Sequence, residues 1–207
     1  MLRVLLPVLL VLGGLLARAQ EPAPVAPETA MPEPARLDWT LTLAPSGDAL
    51  EVRYTVTSTS DQTLYLADLT PVPSEGGFSY GERFINVAGT PTPGLIRLVR
   101  GRLASVAPTL LPLDPGARAL DPGKTASGVA TIKLPIAAAH YHGVAPPLNG
   151  APTQATLEIG YLLGEVHWTA LPLADGRSLT ISSPADEMRT LRAGPLPIPG
   201  PQGVPHG

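Results

Sequence analysis

The sequence predicts an all-β protein, an antiparallel β-sandwich of about eight strands between disordered proline-rich terminal segments. Apolar and polar residues alternate with the period of a half-buried strand in several segments, as in residues 50–57 (LEVRYTVT). Turn-forming residues separate these segments, since the chain contains 26 prolines and 21 glycines. The apolar period of an amphipathic helix is not sustained in any long segment of the chain. A closed barrel is the alternative architecture.

The predicted strands follow one another through turns rich in proline and glycine. Residues 38–43 and 50–57 alternate and are joined by APSGD at 44–48, which predicts a hairpin. Apolar side chains at every second position predict two further strands of the same kind, over 126–134 and 155–161. Most of the remaining predicted strands are short. The strands predicted after the hairpin are 63–66, 83–87, 95–103, 126–134, 155–161, 165–170 and 177–182. A short segment over 185–192 is the one helical candidate.

Part of this pattern resembles a known class of domains. The stretch from Leu50 to Leu66, with its valines, threonines and serine turn, resembles the early strands of immunoglobulin-like and fibronectin-type modules in exported bacterial proteins. The turn DPGKT at 121–125, followed by an alternating strand, is similar to the middle of such domains. The resemblance extends over 37–135 and lacks the cysteine–tryptophan–cysteine signature, because the chain has no cysteine. It implies an immunoglobulin-like sandwich and no particular activity.

The ends of the chain predict export and tethering. Residues 1–19 combine a basic start, a leucine-rich apolar stretch and the small-residue site Ala17-Arg18-Ala19, which predicts a cleaved signal peptide and a periplasmic or secreted protein. The apolar stretch is shorter than the ~20 residues of a membrane-spanning helix, so no span is expected after cleavage. A proline-rich linker is predicted over 20–36, the sandwich over 37–192, and a proline- and glycine-rich tail over 193–207.

Composition and motifs exclude several functions. Without cysteine there are no disulfides and no thiolate sites. The formal net charge of −3 and the lack of a basic run make nucleic acid an unsuitable ligand. The sequence contains no Gly-x-Ser-x-Gly, no His-Glu-x-x-His and no glycine-rich phosphate loop. We therefore expect a protein that is not an enzyme and that has no cofactor.

The histidines of the chain suggest a metal site as the alternative to a protein without a cofactor. His140 and His142 are two residues apart, so on an extended segment both imidazoles point to one side, and Glu165 and His167 repeat this spacing. Three imidazoles and a carboxylate are a suitable ligand set for Zn²⁺ or Cu²⁺. Prolines around the first pair predict a loop over 135–153, where these histidines instead pack over the sandwich edge and bond to backbone.

Two other segments are candidates for contact with a partner. Residues 68–82 (DLTPVPSEGGFSYGE) predict a long loop, and Phe78 and Tyr80 within it are the residues expected to contact a protein. Arg97, Arg100 and Arg102 form the densest basic group and are interpreted as a solvated strand edge, with a docking surface for an acidic partner as the alternative.

These observations favour an exported, non-catalytic binding or structural module of the bacterial cell envelope. Its expected partner is an envelope or extracellular protein. A periplasmic metal-binding protein that uses the His-Tyr-His segment is one alternative, and a secreted protease inhibitor that presents the 68–82 loop is the other.

Overall fold

Alternating apolar side chains build two β-sheets whose apolar faces meet. The computed structural model describes residues 33–74, 77–107, 114–141, 143–164, 168–171, 178–181 and 188–200, all of which belong to one unit, Glu33–Gly207. The predicted signal peptide lies outside these residues. The described part of the chain is all-β, and it holds no helix with the length and apolar character needed to cross a membrane.

Twelve strands lie within the described residues: β1 (Ala35–Leu43), β2 (Ala49–Ser58), β3 (Leu64–Ser74), β4 (Gly77–Gly81), β5 (Asn86–Gly89), β6 (Leu95–Arg100), β7 (Gly116–Leu120), β8 (Thr125–Lys133), β9 (Gln154–Leu163), β10 (Trp168–Leu171), β11 (Ser178–Ile181) and β12 (Arg189–Pro197). Sheet A has the order β1-β2-β8 and is antiparallel. Sheet B has the order β10-β11-β7-β3-β9-β6-β5, with β12 added on β9 and β4 on β3.

Strand β9 organises sheet B, because three strands pair with it. β12 pairs with residues 154–161 of β9, β6 pairs in parallel with residues 154–159, and β3 pairs with residues 160–163. Since β12 overlaps both of the others, β6 and β3 must follow each other along the opposite edge of β9. Gly101 lies at this junction with φ +114°, close to the backbone of Gly160 and Ala67, where a side chain would be crowded.

The core fills the space between the sheets. Fully buried side chains come from sheet A (Leu50, Val52 and Val56) and from sheet B (Leu64, Leu66, Leu98, Leu157 and Ile159). Ala35 of β1 is buried in the same cluster, whereas the larger apolar residues of β1, including Trp39, are half-buried at its margin. Each fully buried aliphatic side chain contributes ~1.5–3 kcal/mol relative to exposure.

The predicted all-β class and the sandwich-like arrangement are confirmed. The hairpin predicted from residues 38–57 is the β1–β2 pair, and the alternating segments 126–134 and 155–161 are β8 and β9. β1 begins at Ala35, slightly before the domain boundary predicted at residue 37.

Several expectations need correction. The segment 189–192, predicted as helical, is extended in β12, because it pairs with β9 and places Leu191 in the core. β12 continues to Pro197. The predicted loop 68–82 is mostly the β3–β4 hairpin, and one strand pair of sheet B, β6 with β9, is parallel.

Gly128 is a position where the packing leaves no room for a side chain. It faces Tyr54 across the β2–β8 pair, and an added methyl group would overlap Cζ and Oη of the tyrosine. We expect Gly128→Ala to lower the free energy of unfolding by ~1–3 kcal/mol, because the ring would have to move within a packed core. Urea denaturation measures the change. Gly200→Ala is the control, since an added Cβ meets nothing within 4 Å there. Equal effects of the two substitutions would contradict the expectation.

Candidate functional site

The predicted metal ligands are only partly within the described residues. His140 Nε2 lies 2.8 Å from the carbonyl oxygen of Leu103, and its ring stacks on Tyr141 with centroids 4.9 Å apart. His142, Glu165 and His167 lie outside the described residues, so metal binding stays a prediction. Among the residues that the structure does describe, no group of three metal-ligating side chains occurs.

The predicted partner-contact residues lie on a strand and not in a loop. Phe78 and Tyr80 are on β4, opposite Pro73 and Pro71 of β3. Tyr80 is half-buried, its ring lies against Gly116, and its hydroxyl donates to the carbonyl oxygen of Asp114 at 3.3 Å. The backbone of this hairpin pairs regularly, which explains why a segment rich in proline and glycine is extended.

A buried carboxylate lies between the two sheets. Asp68 is 1% exposed and accepts hydrogen bonds from Tyr54 Oη at 2.8 Å and from Arg118 Nε at 3.0 Å, with a further bond from Arg118 Nη2. The pairing of β3 with β7 shifts between Leu66 and Leu69, a bulge that includes Asp68. Bulges re-aim side chains, and here the carboxylate reaches a tyrosine of the other sheet.

Arg100 is fully buried beside this carboxylate. Its Nη1 donates to the carbonyl oxygen of Asp68 at 2.6 Å, and its Nη2 donates to the carbonyl oxygens of Val129, at 3.1 Å, and Glu82. Its guanidinium carbon lies 5.5 Å from the centroid of the Tyr54 ring, within cation–π range. The interpretation of Arg100 as part of a solvated strand edge is therefore wrong. It follows Leu98 by two positions and so shares the core-facing side of β6.

Arg100 and Arg118 also donate hydrogen bonds to backbone carbonyl groups on the outer edge of sheet A. The carbonyl oxygen of Ser127 on β8 accepts from Arg118 Nη2 at 3.2 Å, and that of Val129 accepts from Arg100. The N–H of Thr131 donates to the carbonyl oxygen of Arg83 at 3.0 Å. An edge strand normally leaves such groups open to another chain. Here three such groups of β8 are bonded, two to arginines of sheet B and one to the segment before β5.

A second cluster lies on the face of sheet B that points away from sheet A. Glu158 is 2% exposed, and its neighbours Leu157 and Ile159 point into the core, so its side chain faces the other way. Arg97 bonds it through two nitrogens, at 2.9 and 2.5 Å, and Arg192 Nη2 lies 2.8 Å from Oε1. A cavity of about 230 Å³ adjoins this cluster, lined by Arg97, Val99, Arg100, Arg102, Ala104, Glu158, Gly160, Met188 and Thr190.

No local sequence pattern predicts either buried carboxylate. The sequence predicts a loop at Asp68, and Glu158 alternates with core residues on a strand, a position that usually faces water. The arginine group is evident in the sequence, but its bonding partners are distant in the sequence.

No model of a protein family matches the chain, and neither a curated protein nor a solved structure does. The site is therefore interpreted from its own side chains. Asp68 and Glu158 are buried and bonded to arginines, which suits them to holding strands and charges in place.

Removing the charge of Asp68 should expose how much the fold depends on it. We expect Asp68→Asn to lower the free energy of unfolding by ~3 kcal/mol, because Arg118 would keep its charge without a carboxylate partner. Thermal and urea denaturation measure the loss. Asp61→Asn, at an exposed position in a turn, is the matched control. A change no larger than that of the control would show that the buried carboxylate is dispensable.

Two tyrosines, Tyr54 in this cluster and Tyr141 near Asp114, have raised pKa values. Burial raises the pKa of Tyr54 well above its ordinary value, and the charge of Asp68 raises it further. Burial likewise raises the pKa of Tyr141 to about 12, with Asp114 adding to the effect. Both tyrosines therefore keep their protons in the folded protein at pH values where the unfolded chain loses them. Their contribution to stability is complete below pH ~10 and is lost as the pH rises from there towards the folded pKa.

Tyr54→Phe separates the share of Tyr54 in this pH dependence. At neutral pH we expect a loss of ~1 kcal/mol, because the hydrogen bond to Asp68 is removed. Above pH ~10 the loss of stability per pH unit should be smaller than in the unsubstituted protein, by up to ~1.4 kcal/mol. Urea denaturation at a series of pH values measures both. Tyr65→Phe, on the opposite face of sheet B, is the control, and an unchanged slope in Tyr54→Phe would contradict the assignment.

Proposed function

We propose that this chain is an exported, non-catalytic immunoglobulin-like module of the cell envelope that binds an envelope or extracellular protein through its β3–β4 hairpin. The signal-like residues 1–19 and the resemblance over 37–135 support export and the fold type. The β3–β4 hairpin is the proposed binding surface.

Residues 70–74 and 77–81 form a two-stranded arm. The pairing of β3 with β9 ends at Ala67 and with β7 at Leu69, and from Thr70 onward β3 pairs with β4. Within the described residues, β4 pairs with no other strand. A two-stranded hairpin is marginal on its own, and the bond from Thr70 Oγ1 to the carbonyl oxygen of Phe84, at 3.4 Å, helps to fix its base.

The prolines of β3 determine which edge of the arm can accept a strand. Pro71 and Pro73 have no N–H, so their pairs with β4 are of the kind that exchanges no hydrogen bonds. In such a pair both residues direct their N–H and C=O groups away from the partner strand. Phe78, opposite Pro73, therefore directs its N–H to the outer edge of β4. An extended segment of a partner can add to such an edge by main-chain hydrogen bonds.

The interior supports a module without catalysis. Asp68, Arg100 and Arg118 bond one another or backbone carbonyls between the sheets. A catalytic group must instead reach a substrate.

Site-specific photo-crosslinking in the envelope tests the proposal. We expect a crosslinking residue in place of Phe78 to give a discrete adduct with an envelope protein, and the same residue in place of Ser46, in the exposed β1–β2 turn, to give none. The identity of the adduct separates the alternatives, since a protease would indicate the inhibitor.

A backbone variant then tests the mode of contact. With the crosslinking residue moved to Ser79, Phe78→Pro should abolish the adduct because it removes the outward N–H, whereas Phe78→Ala should change it less. Equal adducts from Ser46 and Phe78 would overturn the proposed surface, and an adduct indifferent to Phe78→Pro would overturn strand addition.

A further inference from the structure

We propose that the cavity on the outer face of sheet B binds a small oxyanion, a carboxylate or phosphate group, between Arg97, Arg102 and the hydroxyl-bearing Thr190. This site goes beyond the proposed function, because it uses a different surface and a different class of ligand.

The charge around the cavity is the first observation. Arg97 and Arg102 line it, and Arg192 bonds the lining residue Glu158. The guanidinium of Arg100, which also lines it, is directed between the sheets. Against the guanidiniums of Arg97, Arg102 and Arg192 stand two carboxylates, Glu158 and Asp114, the latter bonded to Arg102. The described residues of this surface therefore carry a formal excess of one positive charge, in a chain whose formal net charge is −3. An anion is the ligand that such a local excess attracts.

The cavity also has a guanidinium donor that can bond a ligand. Arg97 uses Nε and Nη2 for Glu158, and its Nη1 makes no hydrogen bond with any described residue, although its side chain is 36% exposed. Guanidinium groups match carboxylate and phosphate oxygens in geometry and charge.

The shape of the cavity limits the ligand. Gly160 lines it without a side chain, and Thr190 lies opposite Gly160 on β12. Its volume of about 230 Å³ is below the ~300–1,000 Å³ of pockets for drug-sized ligands. It holds the space of several water molecules, each of which has a share of ~30 Å³ in the liquid. A free small anion, or the anionic end group of a larger molecule, fits this size.

Calorimetry on the purified protein, with inorganic phosphate and with acetate as separate probes, tests the site. Sodium chloride at matched ionic strength is the control for screening. We expect saturable binding of at least one probe, and the tighter of the two identifies the preferred group. Backbone amide shifts in NMR should be largest at Gly160 and Thr190. Failure of both probes to bind, or shifts confined to other parts of the chain, would overturn the proposal.

Substitutions connect binding to the named side chains. Arg97→Gln should weaken binding about tenfold, since a charge-assisted bond is lost. Arg97→Lys should restore it only in part, because lysine keeps the charge without the planar fork. Arg53→Gln, which removes an exposed arginine paired with Glu51 on sheet A, should bind as the unsubstituted protein does. Equal affinities of Arg97→Gln and Arg53→Gln would contradict the site.

Thermal denaturation of each variant separates loss of binding from loss of folding. Thr190→Val keeps the shape of an exposed strand residue and removes only the hydroxyl, so it provides a variant expected to fold normally and to bind more weakly. Because these measurements need no protein partner, a negative result here leaves the crosslinking result for the β3–β4 hairpin unaffected.

Discussion

The buried carboxylate of Asp68 is the interaction on which the arrangement of the two sheets depends. A charge without access to water requires opposite charge and hydrogen-bond donors around it. Arg118 of sheet B and Tyr54 of sheet A supply them, so the carboxylate receives both hydrogen bonds only when the two sheets pack in this arrangement. The ring of Tyr54 reaches it by lying over Gly128, and the bulge of β3 turns Asp68 inward. The burial of this carboxylate thus depends on several residues that are far apart in the sequence.

Arginine side chains donate hydrogen bonds to edge carbonyl groups that would pair with a further strand in a larger sheet. Sheet A has only three strands, and carbonyl groups on the outer edge of β8 accept from Arg100 and Arg118 instead of from a fourth strand. The chain has no cysteine to link its sheets covalently. Replacing a buried ion pair by apolar residues is often neutral for stability. The polar cluster is therefore better explained by the need to fix how the sheets join than by a large net stabilisation, and the aliphatic core supplies most of the latter.

The sequence predicted those elements whose burial pattern is local. β1, β2, β8 and β9 have apolar residues at every second position, and this period alone identifies them. β7, with the sequence GARAL, has no β-branched residue and is a strand because it lies between β11 and β3. β12 ends in prolines that resemble a tail, yet it covers an edge of β9. In each of these cases tertiary pairing decides the structure, and pairing partners cannot be read from local composition.

The same limitation applies to the site. An arginine on a strand is usually exposed, so the sequence predicts a solvated edge at Arg100. The carbonyl groups of Asp68, Glu82 and Val129 and the ring of Tyr54 make its burial favourable. Glu158 is comparable, since Arg97 and Arg192 come from two different neighbouring strands. The basic group is evident in the sequence. Which of its arginines is buried between the sheets and which lie at the open cavity depends on the carbonyl groups and carboxylates that the fold brings near.

The two proposed surfaces meet at one residue. The carbonyl oxygen of Asp114 accepts from Tyr80 at the base of the β3–β4 hairpin, and its carboxylate bonds Arg102 at the cavity. A substitution of Arg102 would therefore disturb the hairpin as well as the anion site. Arg97 has no such connection, because its bonds go to Glu158 on β9. For this reason Arg97 and Thr190, rather than Arg102, are the positions at which the anion site can be altered while the hairpin keeps its anchor.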